Sequence, residues 1–294
     1  MIGTLLLSLT GCMIEPDNTK PADDGSTETT EEESTGSESD SSSTDADGDG
    51  VTADADCDDN NPWVTEGCGR TCTGDFVVET NADFANVAGC AIIEGDLDID
   101  GIDQTDLTGL NSLEQVTGAL WVMYNPTLQT LDGLNNLLSV GDGLLISYND
   151  ALVDISGLES LQYVDGTLSI SNSHSLTDIQ GINNLSYIGS SLMLNNIGVS
   201  DLNAFDKVES IGGSIYISDC EDLTSLMGLT VSLASFGEGE EIGTYDEDGY
   251  MITSLFYVYN NEWLCQTDVD QVTTIFENMG WTGTANSWNN NGCN

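Results

Sequence analysis

Between residues 45 and 59 the chain is crowded with oxygen donors: Asp45, Asp47, Asp49, Asp54, Asp56, Asp58 and Asp59, interleaved with Ala, Gly and Cys. With Asp45 as the first position, carboxylates fall at the first, third and fifth places, Gly50 at the sixth and Asp56 at the twelfth. Val51, in the seventh place, offers its backbone carbonyl. That is the ligand order with which a loop wraps Ca²⁺, the Gly permitting the sharp turn. Hard oxygens at this density favour Ca²⁺ over softer metals, and Asp58 and Asp59 extend the donor run. Closure by Asp56 in place of a bidentate Glu predicts weak binding, on the order of 0.1–1 mM. A merely solvated acidic run is the competing reading of the same residues.

A second set of residues suits binding. Trp121, Leu145, Met193, Tyr216 and Tyr257 each stand between two apolar residues, and Met123 and Tyr259 lie two places further along. Trp and Tyr are favoured anchors of interfaces. For catalysis the inventory is thin. Asp98, Asp100, Asp103 and Asp106 could serve as an acid/base pair on a polysaccharide, but lyase chemistry on acidic sugars needs a basic side chain. Beyond residue 44 only Arg70 and Lys207 carry a fixed positive charge. His174, the single His, lies in Ser173-His174-Ser175 with no nucleophile and orienting group, and reads as a solvated turn residue. The expectation is a protein that is not an enzyme.

The elements that must position these residues announce themselves by repetition. Leu120, Val122, Leu128, Leu131, Leu134, Leu137 and Val140 recur 24 residues later as Leu144, Ile146, Leu152, Ile155, Leu158, Leu161 and Val164. A third copy reads Leu168, Ile170, Leu176, Ile179, Ile182, Leu185 and Ile188. Self-similarity at fixed period marks a solenoid, whose units bury their apolar faces only by stacking. The apolar-x-apolar pairs have the two-residue period of a strand. The residues three apart that follow, with Gly133, Gly157 and Gly181 and turn residues Asn125, Asn149 and Ser173, suit short 3₁₀ turns better than an α-helix. The pattern persists from Leu192 to Leu229, lapses over 237–250, which reads as an inserted loop, and returns at Phe256-Tyr257-Val258. In this frame Asp98, Trp121, Leu145, Ser169, Met193, Tyr216 and Tyr257 form one outward column, with Met123 and Tyr259 in the next. An exposed apolar column marks an interaction site, although the inserted loop or the N-terminal segment could instead fold over it.

The charge balance is extreme: 3 Lys and Arg against 51 Asp and Glu, a formal net charge of −48. Phosphate binding rests on Lys and Arg, so nucleic acid is excluded as a partner. Divalent cations are natural partners for such a surface, and calcium-dependent self-association is one outcome to test. Residues 13–44 are Ser, Thr, Glu, Asp and Gly with almost nothing apolar, and are expected to be a disordered, self-repelling tether.

Ile2 to Leu9 is a short apolar run that ends in Leu9-Thr10-Gly11-Cys12. It resembles a bacterial lipobox, although no Lys or Arg precedes it. The resemblance implies a signal peptide over 1–12 and a lipid on Cys12, anchoring the chain in the bacterial cell envelope, at the outer membrane or cell surface. The run is too short to span a bilayer. The 45–68 segment, with Asp45-Ala-Asp47-Gly-Asp49-Gly50 and the closing Asp56-Cys57-Asp58-Asp59, is similar to the thrombospondin type 3 calcium repeat. No amphipathic helix flanks it.

Cys68 and Cys72 precede an expected strand at Phe76 to Val78 and a short helix from Asn81, its cap, to Ala88. Then comes Gly89-Cys90-Ala-Ile92-Ile93-Glu-Gly95-Asp-Leu97-Asp-Ile99. These features and the Leu-rich coils resemble the receptor L domain of the insulin and epidermal growth factor receptors. The resemblance implies a right-handed parallel β-helix used for recognition without catalysis. Strict leucine-rich repeats place Leu three residues before the strand pair, whereas Val116 stands four before Leu120, which argues against the horseshoe form. The solenoid is assigned to 69–265. Residues 266–294 are assigned to a capping helix, with Val269, Val272, Phe276 and Met279 on one face and Gly280 at its end, and a disulfide tail. With Cys12 lipidated, seven of 8 Cys remain. The expected pairs are Cys57 with Cys68, Cys72 with Cys90 and Cys265 with Cys293, leaving Cys220 free in a turn. Zinc at Cys68 and Cys72 lacks two nearby ligands.

The whole reads as a mainly β, lipid-anchored surface protein binding a protein or glycan partner. A calcium-bridged structural layer is the alternative, and a polysaccharide enzyme a distant third.

Overall fold

The computed structural model describes residues 69–237 and 254–293, with the backbone of 244–245 and 251–252. The chain is mainly β, with two parallel sheets of stacked strands, the arrangement of a parallel β-solenoid. The front sheet has nine strands: Phe76–Val78, Leu97–Asp100, Leu120–Met123, Leu144–Ser147, Leu168–Ser173, Leu192–Ile197, Ile215–Ser218, Leu255–Tyr259 and Thr284–Trp288. The back sheet has eight, from Arg70–Thr73 and Cys90–Glu94 through six two-residue strands to Ser235–Phe236. Most coils contribute one strand to each sheet, and several join the two with a 3₁₀ turn such as Ser156–Leu158 or Gln180–Ile182.

Register follows the repeat. Leu120 pairs with Leu144, Leu144 with Leu168 and Leu168 with Leu192, so identical positions stack along the axis. Inward residues meet their own kind: Leu120, Val122, Leu144, Ile146, Leu168 and Ile170 are all fully buried. Each such side chain contributes about 1.5–3 kcal/mol of burial. Leu131, Leu134 and Leu137, and their counterparts in later coils, fill the interior from the 3₁₀ side. The coils approach so closely that a Cβ on Gly157 would lie 2.0 Å from the Leu131 carbonyl oxygen, and one on Gly181 1.9 Å from that of Ile155.

Asn125 and Asn149 are fully buried and hold the stack together as a ladder, rather than serving only as turn residues. Asn125 Nδ2 donates to the Ile99 carbonyl at 3.0 Å, and its backbone N–H donates to Asn149 Oδ1 at 3.0 Å. Asn149 Nδ2 donates to the Val122 carbonyl at 2.8 Å, and its N–H to Ser173 Oγ at 3.3 Å. Ile197 interrupts the column. It resumes where the Cys220 N–H donates to Asn261 Oδ1 at 3.0 Å and Asn290 Nδ2 to the Val258 carbonyl at 2.9 Å.

Among the described residues two disulfides are present, Cys72–Cys90 and Cys265–Cys293. Cys220 is free, and is buried rather than exposed in its turn. Burial pushes its thiol up to about 11. At the N-terminal end the short helix is a 3₁₀ turn, Asn81–Asp83, running into Phe84–Val87. Its cap is Thr80, not Asn81: the Thr80 N–H and hydroxyl both donate to Asp83 Oδ2, at 2.9 and 2.7 Å. That hydroxyl bond lowers the Asp83 pKa. Within the inserted segment, Thr244–Tyr245 and Met251–Ile252 pair antiparallel. The helix Gln266–Asn278 buries Val269, Val272 and Phe276. Phe276 packs against Phe236 and Phe256, with ring centroids 4.6 and 5.1 Å away. Beyond it Thr284–Trp288 adds a further parallel rung on Leu255–Tyr259, where the sequence suggested only a tail.

Candidate recognition face

The outward column on the front sheet aligns as Val77, Asp98, Trp121, Leu145, Ser169, Met193, Tyr216, Tyr257 and Asn286, each beside the next in register. A neighbouring column carries Asp100, Met123, Ser147, Ser171, Asn195, Ser218, Tyr259 and Trp288 in the same registers. Trp121, Met123, Leu145, Tyr216, Tyr257 and Tyr259 are half-buried and Met193 is exposed, so the front sheet brings all seven predicted binding residues onto one face.

Six of them fall into two groups, with Met193 between. Toward the C-terminal end Tyr216 stacks on Tyr257, with centroids 5.4 Å apart and planes within 9°, and Tyr259 stacks on Trp288 at 4.7 Å and 10°. Rings stacked along the axis fill one another's faces and present edges to solvent. Trp288, 46% exposed, had no repeat signal because the helix breaks the period before it. Toward the N-terminal end lie Trp121, Met123 and Leu145. A polar strip separates the groups, its Ser147 and Ser171 hydroxyls 2.8 Å apart.

A third column lies at or just past the C-terminal ends of most front strands, at the residue that bends the chain. Among the described residues seven non-glycine residues there have left-handed backbone, including Asn172, Asn196, Asp219, Asn260 and Asn289. Asn and Asp tolerate that conformation, whereas a bulky residue pays about 1–2 kcal/mol. Tyr124 (φ 56°) and Tyr148 (φ 58°) are the bulky ones, and they stack on each other at 4.8 Å beside the Trp121 group. Both are exposed. Strain held at exposed aromatic residues points to function. Their 24-residue spacing was a signal that sequence reasoning passed over.

Asp98 carries the main electrostatic feature of the face. Its Oδ1 is buried and accepts no hydrogen bond. Desolvation, reinforced by Asp100 and Glu79, raises its pKa. The other carboxylates considered for catalysis do not converge on it: Asp103 is exposed past the bend at Gly101, and Asp106 Oδ1 accepts the Thr108 N–H at 3.1 Å. His174 is exposed. Arg70 Nη2 donates to the Ala88 carbonyl at 2.8 Å and Lys207 Nζ to Asn184 Oδ1 at 2.5 Å. Lys207 borders a polar groove of about 470 Å³ that also includes Asp154, Glu159 and Asp178.

On the back sheet Tyr163 and Tyr187 are adjacent and exposed, with Leu138 also exposed, a smaller patch that the sequence reading did not identify. The proposed calcium residues Asp45, Asp47, Asp49, Val51, Asp56, Asp58 and Asp59 lie outside the described residues. So do Cys12, the 13–44 tether, Cys57 and Cys68. No family model matches the chain, and no curated protein is similar to it.

Proposed function

We propose that the chain is a lipid-anchored surface protein, held by Cys12 on its acidic tether, whose front sheet recognises a protein or glycan without turning it over. The coils form a right-handed, receptor L-like β-helix, the helix Gln266–Asn278 closes the open end, and Ca²⁺ on Asp45 to Asp59 stiffens the stalk. The observation that carries the recognition reading is the front face itself, where two aromatic groups share one surface and two exposed tyrosines hold strained backbone. Exposed apolar surface organised in this way marks an interaction site.

Capture from a cell-envelope extract tests the reading. Trp121→Ala and Tyr216→Ala should remove the captured partner and leave the melting transition in place, while Tyr163→Ala on the back sheet should capture normally. Normal capture by both front-sheet variants would refute it. The net charge of −48 favours a second reading, in which Ca²⁺ bridges acidic chains into a layer. Light scattering separates the two: association at millimolar Ca²⁺ supports the layer, and a monomer supports discrete recognition.

A further inference from the structure

The front face holds a carboxylate oxygen with no donor. Leaving an acceptor desolvated and unpaired costs about 1–3 kcal/mol, and a fold retains such a cost most readily at a functional position. Asp98 lies between Val77 and Trp121 on neighbouring strands, which run about 4.8 Å apart. Among the described residues Trp121, half-buried, makes no ring-to-ring contact, whereas Tyr216 stacks on Tyr257 and Tyr259 on Trp288. One unpaired carboxylate and one unstacked indole therefore stand side by side.

The described residues do not supply the missing counter-charge. Among the described residues the basic side chains are Arg70, Lys207 and His174, and the first two are engaged elsewhere. We infer that Asp98 and Trp121 form the anchor for an arginine side chain of a protein partner, with Met123 and Leu145 bordering its apolar stem. This rests on the front sheet being the recognition face. Guanidinium is the group that fits both halves, since it stacks on an indole and donates a planar fork to a carboxylate. A lysine ammonium is more strongly hydrated and lacks the plane. A sugar hydroxyl can donate to the carboxylate, but it brings no counter-charge and no paired fork of donors. Among the described residues no three His, Cys, Asp or Glu side chains are placed to hold a metal ion. The broad terminal torsion of Asp98 allows its orphaned oxygen to turn toward an incoming donor.

The test titrates the capped peptide acetyl-Gly-Arg-Leu-amide into the folded chain at low salt and follows the Trp121 indole N–H by NMR, assigned with Trp121→Phe. A saturable shift is expected, weakened roughly tenfold or more in Asp98→Asn, as loss of a charge-assisted hydrogen bond implies. Asp165→Asn, in an exposed turn, removes the same single charge and should leave affinity within about twofold, because screening makes distant surface charges weak. The lysine peptide should bind several-fold more weakly and the citrulline peptide not at all. Equal shifts with citrulline, with a neutral oligosaccharide or with Ca²⁺ alone, or an unchanged affinity in Asp98→Asn, would overturn the assignment. Asp98→Asn should melt no lower than the parent, so lost binding would not reflect unfolding. Should the peptide fail while Trp121→Ala still abolishes envelope capture, the arginine anchor falls and the recognition face stands. Peptide binding alongside normal capture by the front-sheet variants upholds the anchor and removes the wider reading.

Discussion

Asn149 offers the sharpest test of how the coils are held in register. Its side chain meets two groups of the preceding coil: Nδ2 donates to the Val122 carbonyl at 2.8 Å, and Oδ1 accepts from the Asn125 N–H at 3.0 Å. Asn149→Ala strips the partner from both groups inside a dry column, since Asn125 and Val122 are fully buried. Each orphaned group costs about 1–3 kcal/mol, so the variant should lose about 2–6 kcal/mol, a large part of a typical domain's stability. Asn149→Ser should be milder, by the precedent of Ser173 one rung on, whose hydroxyl accepts the Asn149 N–H at 3.3 Å. The shorter side chain keeps an acceptor for Asn125 but does not reach Val122. Urea unfolding followed by circular dichroism reads both variants. A midpoint for Asn149→Ala indistinguishable from the parent, or one above that of Asn149→Ser, would refute the ladder argument.

Three further outcomes follow from the same geometry. Gly157→Ala places a methyl on the Leu131 carbonyl and should cost about 1–3 kcal/mol by overpacking; Ala204→Gly, at the equivalent place in a coil that already admits a Cβ, should cost less, and the two thermal melts compare them. Cys220, its thiol pushed up to about 11 by burial, should resist Ellman's reagent in the native chain at pH 8, where about one thiol in a thousand is ionised, and react promptly in urea; fast native reaction would contradict its burial. Because the folded-state pKa of Asp98 is raised, its proton is bound more tightly in the folded chain, so stability is gained as pH falls through that raised value and lost as pH rises through it. The parent should therefore lose more stability than Asp98→Asn between acid and neutral pH, and parallel slopes in pH-dependent denaturation would count against the desolvation of Asp98.

The solenoid was legible because its cause is periodic. A leucine-type residue every 24 places has few ways to be buried, and the registers Leu120 to Leu144 to Leu168 realise the one that stacks like on like. The outward column came with it, since alternate residues of a strand face opposite ways. Features without periodic apolar content were harder to read. Asn125 and Asn149 looked like turn residues because Asn is common in turns for local reasons, and only the stacking of coils places their amides where backbone groups need partners. Thr284–Trp288 carries no apolar alternation, because as an edge strand with exposed Thr284, Ala285 and Trp288 it has little interior to fill. The helix signal was sound for Val269, Val272 and Phe276, yet its cap-and-tail interpretation concealed the rung beyond. Thr80 competed with Asn81 for the cap, and Asp83, three residues after Thr80, decided it by returning a carboxylate to the Thr80 N–H. Tyr124 and Tyr148 were masked by their place at the bend, a position that composition alone would assign to Gly or Asn.

The most direct measurement is hydroxyl-radical footprinting of the chain with its captured partner. The account predicts that partner binding shields Trp121, Tyr124, Tyr216 and Trp288 from oxidation while Tyr163 and Tyr187 remain as reactive as in the free chain. Shielding of Tyr163 and Tyr187 with the front-sheet rings unprotected would contradict it.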